Sequence, residues 1–222
     1  MATKNLQKEE KLTAEQKMIS SVSNFFVKNR IIVVVIAALV IVGIIAGILV
    51  LKISTNAKEK AQLKVAELEQ RYSDLLIEEN PDWASLIADL NATIKGSSYP
   101  SVKAAYLLGL VYHEQKDLAS AQTAFEKAYN LNTKIYLAPL ALVNMATCAD
   151  EQGNTAKALE IYNQIYNDYT DSGVAAKALF NAARIYYQQG NTQLAQASFA
   201  QVASYYPNSE YGKLAQNLAN VL

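Results

Sequence analysis

Apolar positions along the chain follow two regimes. From Ile31 to Leu51 they are continuous (IIVVVIAALVIVGIIAGILVL), with no charged or polar side chain. At ~1.5 Å of rise per residue, a helix over that run reaches roughly 30 Å, the hydrocarbon thickness of a bilayer. The pattern therefore predicts one transmembrane helix over 31–51. A secretory signal has a shorter apolar core, and the following KISTNAKEK offers a poor small-x-small cleavage site, so the span is expected to be retained. Downstream, apolar residues recur with helical period and no stretch alternates as a strand would, which predicts an all-α chain.

Residues 1–30 are polar and carry both signs of charge, unlike an acid-poor mitochondrial transit peptide. Within them Met18, Val22, Phe25 and Phe26 fall at i, i+4, i+7 and i+8, with Lys28 and Arg30 against the span. That spacing fits a juxtamembrane helix in the interface, or a tail with scattered apolar residues. Basic residues near the span are nearly balanced, with Lys11, Lys17, Lys28 and Arg30 before it and Lys52, Lys58, Lys60, Lys64 and Arg71 after it. Charge alone barely sets the topology. The large segment following a first, uncleaved span favours a cytoplasmic N-terminus with the domain on the other side.

After the span a polar linking helix is expected over about 57–76, and Asn80-Pro81-Asp82 breaks it and starts a new one. Turn signals then become regular, because Lys116-Asp117, Gly153-Asn154 and Gly190-Asn191 lie 37 residues apart. A period of that length means a helical repeat array. In register the copies read YLLGLVYHEQKDLASAQTAFEKAYNLN, LVNMATCADEQGNTAKALEIYNQIYND and LFNAARIYYQQGNTQLAQASFAQVASYYP. Small residues recur at one height in each first helix (Gly109, Ala146, Ala183) and each second helix (Ala121, Ala158, Ala195). There the two helices of a hairpin should touch, while Phe125, Tyr162 and Phe199 fill the space beside the next hairpin.

These residues resemble the tetratricopeptide repeat, whose pattern is leucine, then glycine or alanine, an aromatic, and later alanine, an aromatic, alanine and proline. The first copy carries Leu108, Gly109, Tyr112, Ala121, Phe125 and Ala128; the third carries Ala183, Tyr186, Ala195, Phe199 and Pro207; the second has Ala149 where an aromatic is usual. The resemblance implies a right-handed tetratricopeptide-type α-solenoid behind the single transmembrane helix. Its repeats fall at about 102–135, 139–172 and 176–209 within 102–222. A linking helix and degenerate hairpin around Tyr72, Leu75, Trp83 and Ala84 occupy 52–101, and EYGKLAQNLANVL forms a capping helix.

Composition narrows the chemistry. Net charge is zero with no basic stripe, so nucleic acid is not an expected partner. The lone His113 is followed by Glu114, but Asp117 stands four after it, so the HExxH zinc pair is absent. Cys148, the sole cysteine, has no partner for a disulfide and lies in a packed first helix. No cofactor, metal or catalytic residue is expected, and the chain reads as a binding protein rather than an enzyme.

First-helix residues predicted to face the groove of the array are Lys103, Tyr106, Leu110 and His113, then Leu140, Val143, Thr147 and Asp150, then Lys177, Phe180, Arg184 and Tyr187. They mix aromatic and polar groups, as adaptable protein-binding surfaces do, although some could instead pack on the leading helix or the cap. The set lacks the lysine and asparagine clamp with which some tetratricopeptide domains grip chaperone carboxylates. In the span, Gly43 and Gly47 form a GxxxG face that lets another helix approach, as a homodimer or against a larger membrane complex.

A short tail, one uncleaved span, a linking helix and a small repeat domain together resemble the bacterial YfgM-like family, ancillary subunits of the SecYEG translocon. That resemblance implies a single-pass inner-membrane protein with a periplasmic domain, engaging translocon subunits, exported clients or chaperones. An envelope scaffold for cell division or outer-membrane assembly is the alternative, since YPNSEYGKLA resembles the hairpin joints of those proteins. A mitochondrial import receptor would instead need its domain in the cytosol.

Overall fold

A computed structural model describes residues 14–221, with side-chain surroundings from residue 16. Residues 1–13 of the predicted tail, Lys11 among them, and Leu222 of the expected cap lie outside the described residues. Among the described residues there are ten helices and no strand. The chain divides into two units, Met1–Lys58 and Glu59–Leu222.

In the first unit, α1 (Ala14–Lys28) is followed at once by α2, which runs from Arg30 to Leu75. The Val33 amide donates to Asn29, and the Asn29 amide to Phe25, so the backbone pairing hardly pauses between them. α2 is long and apolar enough to cross a membrane, and none of its most apolar stretch is buried by the protein. A core helix of a globular domain would be covered; this one leaves Ile31, Leu39 and Leu51 each about two-thirds exposed. The helix does not stop where its apolar half ends. No glycine or proline occurs between Gly47 and Pro81, Ala, Lys, Glu and Gln favour the helix, and Thr55 Oγ1 donates back to the Leu51 and Lys52 carbonyls.

In the second unit the last turns of α2 bury Val65, Leu68 and Leu75 with Leu86 and Leu90 of α3 (Trp83–Thr93) and Leu107, Leu108 and Val111 of α4 (Tyr99–Glu114). Three hairpins follow. α4 pairs with α5 (Leu118–Leu131), α6 (Leu137–Glu151) with α7 (Thr155–Asp168), and α8 (Ala175–Gln188) with α9 (Thr192–Tyr205). α10 (Glu210–Val221) closes the array against α9 and α8. Each second helix also packs on the next first helix, which makes the core continuous along the stack.

Each hairpin turn is set by one left-handed residue and one polar residue after it. Lys116, Gly153 and Gly190 have φ of 63°, 78° and 78°. Asp117 and Asn154 then cap the second helix, accepting from the Ser120 and Lys157 amides at 3.1 and 3.2 Å. Lysine at a left-handed position carries a Cβ penalty that glycine does not. Lys116→Gly is expected to stabilise the chain by about 1 kcal/mol and Gly153→Ala to destabilise it by about as much, read from urea unfolding of the purified protein followed by helical circular dichroism.

Small residues hold the helices close. Ala121, Ala158 and Ala195 have no exposed surface, and a Cβ on Gly109 would lie 2.6 Å from the Phe125 ring. Phe125 therefore fills space in its own hairpin as well as beside the next, where it joins Leu142 and Ala146. Between hairpins, two hydrogen-bond pairs recur 37 residues on. Gln164 donates to the Tyr129 hydroxyl and Gln201 to the Tyr166 hydroxyl, both at 2.9 Å, while Tyr169 donates to the Thr133 carbonyl and Tyr206 to the Thr170 carbonyl at 2.9 and 3.1 Å.

Candidate functional site

Helical geometry places residues three, four and seven apart on one face, so each first helix offers a row toward the groove and a neighbouring row toward its own second helix. The structure separates the predicted residues by exposure and by what they touch. Lys103, Leu110 and His113 of α4, Thr147 and Asp150 of α6, and Lys177, Arg184 and Tyr187 of α8 are partly or fully exposed. Tyr106, Val143 and Phe180 share that spacing but lean toward the second helices. The Tyr106 ring lies 5.6 Å from that of Phe125, Phe180 lies 5.2 Å from Phe199 and 5.4 Å from Tyr211 of α10, and Val143 is buried. Val143 is thus a core residue rather than a groove residue, because at its height the first helix meets its own partner. Leu140 lies nearer the hairpin joint, partly buried among Val102, Ala105, Leu137 and Ala141.

A cavity of about 270 Å³ brings the groove row together, lined by Leu110, His113, Phe125, Asn144, Thr147 and Lys177. Three successive first helices contribute to it. Phe125 and Asn144 are additions that the spacing of the groove row did not give. Asn144 has a counterpart 37 residues on in Asn181, and that repeated polar residue in an apolar helix was the readable sign. Asn144 donates to the Tyr106 hydroxyl at 2.9 Å and Asn181 to the Tyr162 hydroxyl at 3.3 Å. Burial pushes both phenols upward from their ordinary pKa, which keeps them protonated. The bond to Tyr106 holds Asn144 in its place on the cavity wall.

Charge on this face is mostly paired between neighbouring first helices. Lys103 meets Glu69 at 2.6 Å, Arg184 meets Asp150, and His113 Nε2 lies 3.2 Å from Glu151 Oε2. The His113–Glu151 approach is close but poorly angled, leaving Nε2 buried without a hydrogen bond. Lys177 differs from all of these. Among the described residues it makes no ion pair or hydrogen bond. Its repeat equivalent Lys103 is paired with Glu69, but the residue 34 positions before Lys177 is Val143 instead of an acid. An unpaired lysine therefore shares the lining of one cavity with the apolar Leu110 and Phe125.

The other reactive groups are built into the core. Cys148 has no exposed surface, and burial, reinforced by Glu151, pushes its thiol up to about 11, where it stays protonated at neutral pH. No group of three or more His, Cys, Asp or Glu side chains among the described residues could hold a metal ion. Gly43 and Gly47 are exposed in the first unit, and a Cβ on either would meet nothing within 4 Å.

A family model described as tetratricopeptide repeat matches residues 101–171, and a second of the same description matches residues 177–209. No curated protein matches the chain. Among solved structures it is similar to a tetratricopeptide repeat protein from Parabacteroides merdae, with a TM-score of 0.54 and 23% identity over 71% of this chain. The chain spans 59% of that protein's length. It is also similar to the nearly identical TPR-like repeats of a Podosopora anserina protein, again with a TM-score of 0.54, at 12% identity over 72% of this chain and 83% of that one. Identities this low show the fold, an all-α tetratricopeptide solenoid, and leave partners to the site itself.

Proposed function

We propose that this chain is a membrane-anchored tetratricopeptide adaptor whose first-helix groove holds a segment of another protein. The observation that carries the reading is Lys177, an unpaired lysine that lines, with Leu110 and Phe125, a cavity built from three hairpins. That combination suits an acidic residue next to an apolar one in the bound segment, since a charge-assisted bond to Lys177 and burial against Leu110 and Phe125 act together. Protein binding is also what tetratricopeptide folds commonly provide.

In this reading the exposed apolar half of α2 lies in a bilayer, the tail is cytoplasmic, and the repeat domain is periplasmic in a bacterial inner membrane. Gly43 and Gly47 supply the close-packing face for a second span, from another copy or from a larger membrane complex. Domain limits follow the sequence: tail 1–30, span 31–51, linking helix and leading hairpin 52–101, repeats and cap 102–222. Resemblance in this architecture to the YfgM-like family favours an ancillary role at the SecYEG translocon or among periplasmic chaperones, acting on exported proteins.

The test places a photocrosslinking residue at Tyr187, which is half exposed on the groove row. Adducts with translocon subunits or exported proteins are expected in cells. They should fall about tenfold in Lys177→Glu, the worth of one charge-assisted bond of roughly 1.5 kcal/mol. Adducts that ignore the charge reversal would sink the groove as the binding surface, and a purified complex without any translocon subunit would count against the translocon assignment. Protease protection of tags at both termini reports the topology.

A further inference from the structure

A second cavity, larger than the one in the groove, lies elsewhere. It has a volume of about 390 Å³ and sits at the joint between the second and third hairpins, lined among others by Tyr136, Leu140, Tyr169, Ser172, Gly173 and Val174. Its origin can be read from the repeat. Positions 99, 136, 173 and 210 are equivalent at the period of 37 residues, and they hold Tyr, Tyr, Gly and Glu. At the first interval Tyr99 and Tyr136 pack with ring centroids 6.1 Å apart and their hydroxyls 3.1 Å apart. At the next interval the series stops. Gly173 offers Tyr136 no ring, and a Cβ built there would meet nothing within 4 Å, so the space beside Tyr136 stays open and Tyr136 remains 62% exposed.

A second observation marks the same joint as incomplete. Ser98, Ser172 and Ser209 are also equivalent in the repeat. Ser209 Oγ donates to the Tyr206 carbonyl and accepts from the Gly212 amide, and Ser98 Oγ lies 3.4 Å from Ser101 Oγ. Ser172 Oγ is buried with no hydrogen-bond partner. The joint therefore combines an apolar wall, one unmet polar group, and a vacancy where the repeat elsewhere puts a tyrosine.

We infer that this joint is a second binding site, separate from the groove, which accepts an aromatic side chain, tyrosine or phenylalanine, from a partner polypeptide, its ring packed on Tyr136 in the place that Gly173 leaves. The volume is at the lower end of sites for small organic groups, and an offset aromatic pair adds attraction beyond the area it buries. The inference does not rest on the groove reading. Loss of groove binding in Lys177→Glu would leave it untouched.

The test uses the full chain in phosphatidylcholine nanodiscs with N-acetyltyrosinamide as the probe and N-acetylleucinamide as the control, read by saturation-transfer NMR. Transfer to the tyrosine ring is expected to exceed that to the leucine probe roughly fivefold. Gly173→Tyr, which completes the series from within the chain, should reduce it by about the same factor with the circular dichroism spectrum unchanged. Tyr136→Ala, at an exposed position, removes the packing ring and should have the same effect, which keeps the test open if Gly173→Tyr disturbs folding. Equal transfer to both probes, or a tyrosine signal that survives Tyr136→Ala, overturns the inference.

Discussion

Phe125→Ala is expected to destabilise the repeat domain by about 3 to 5 kcal/mol, the largest effect of any single substitution considered. The ring is 1% exposed and is shared by three surroundings. It faces Gly109 in its own hairpin, stands 5.6 Å from the Tyr106 ring, and joins Leu142, Ala146 and Ala158 in the core of the next hairpin. Alanine would leave a void that rigid helices on both sides cannot collapse into. Urea unfolding of the full chain, followed by circular dichroism, measures it. The Gly109 side of the contact gives a second arm. Gly109→Ala alone would push a Cβ into the ring, whereas with Phe125→Leu the clash is relieved, so the double variant should recover about 1 kcal/mol relative to additivity. Strict additivity would mean that Gly109 is small for some reason other than Phe125.

Gly212→Ala is expected to cost about 2 to 3 kcal/mol and to release α10. A Cβ there would overlap the backbone carbonyl oxygen of Tyr206 and press on Ser209 Oγ at 3.2 Å. A backbone oxygen cannot swing aside as a side chain can, so the helix itself has to move. Moving it breaks the serine bridge in which Ser209 Oγ takes the Gly212 amide and bonds the Tyr206 carbonyl. The equivalent joint before α8 shows the alternative, because Ala175 occupies that place and Ser172 lacks the bridge. Undocking would expose Phe180, Phe199 and Ala215, which form one cluster with Tyr211. Limited proteolysis with chymotrypsin should therefore cut after Tyr205 or Tyr211 in the variant well before the remaining hairpins unfold, and equal cutting of variant and parent would refute the account.

The features legible in the sequence were those decided by a few neighbouring residues. The turns at Lys116, Gly153 and Gly190 are local chemistry, a left-handed residue followed by a polar one, and their period revealed the hairpins. The exposed half of α2 was equally plain, since an uninterrupted apolar run needs no tertiary knowledge to be recognised. The rotation of each first helix about its own axis was not legible. Tyr106, Val143 and Phe180 share the heptad-like spacing of a groove row, and only the crossing of the two helices in a hairpin decides that their side chains meet Phe125, the core and Phe199. The lone charge of Lys177 was hidden for a related reason, as it depends on which residue of the preceding hairpin, here Val143, stands opposite. The vacancy at Gly173 lay in plain view once positions 99, 136 and 173 were compared, though a missing side chain is harder to notice than a present one.

The bonds from Gln164 to Tyr129 and from Gln201 to Tyr166, with those from Tyr169 and Tyr206 to the carbonyls one hairpin earlier, have a consequence for growth of the array. Each unit carries donors suited to its predecessor and acceptors suited to its successor. A duplicated unit spliced in at the period would find these bonds already matched at both its edges, so this part of the seam lets such a protein lengthen by whole modules.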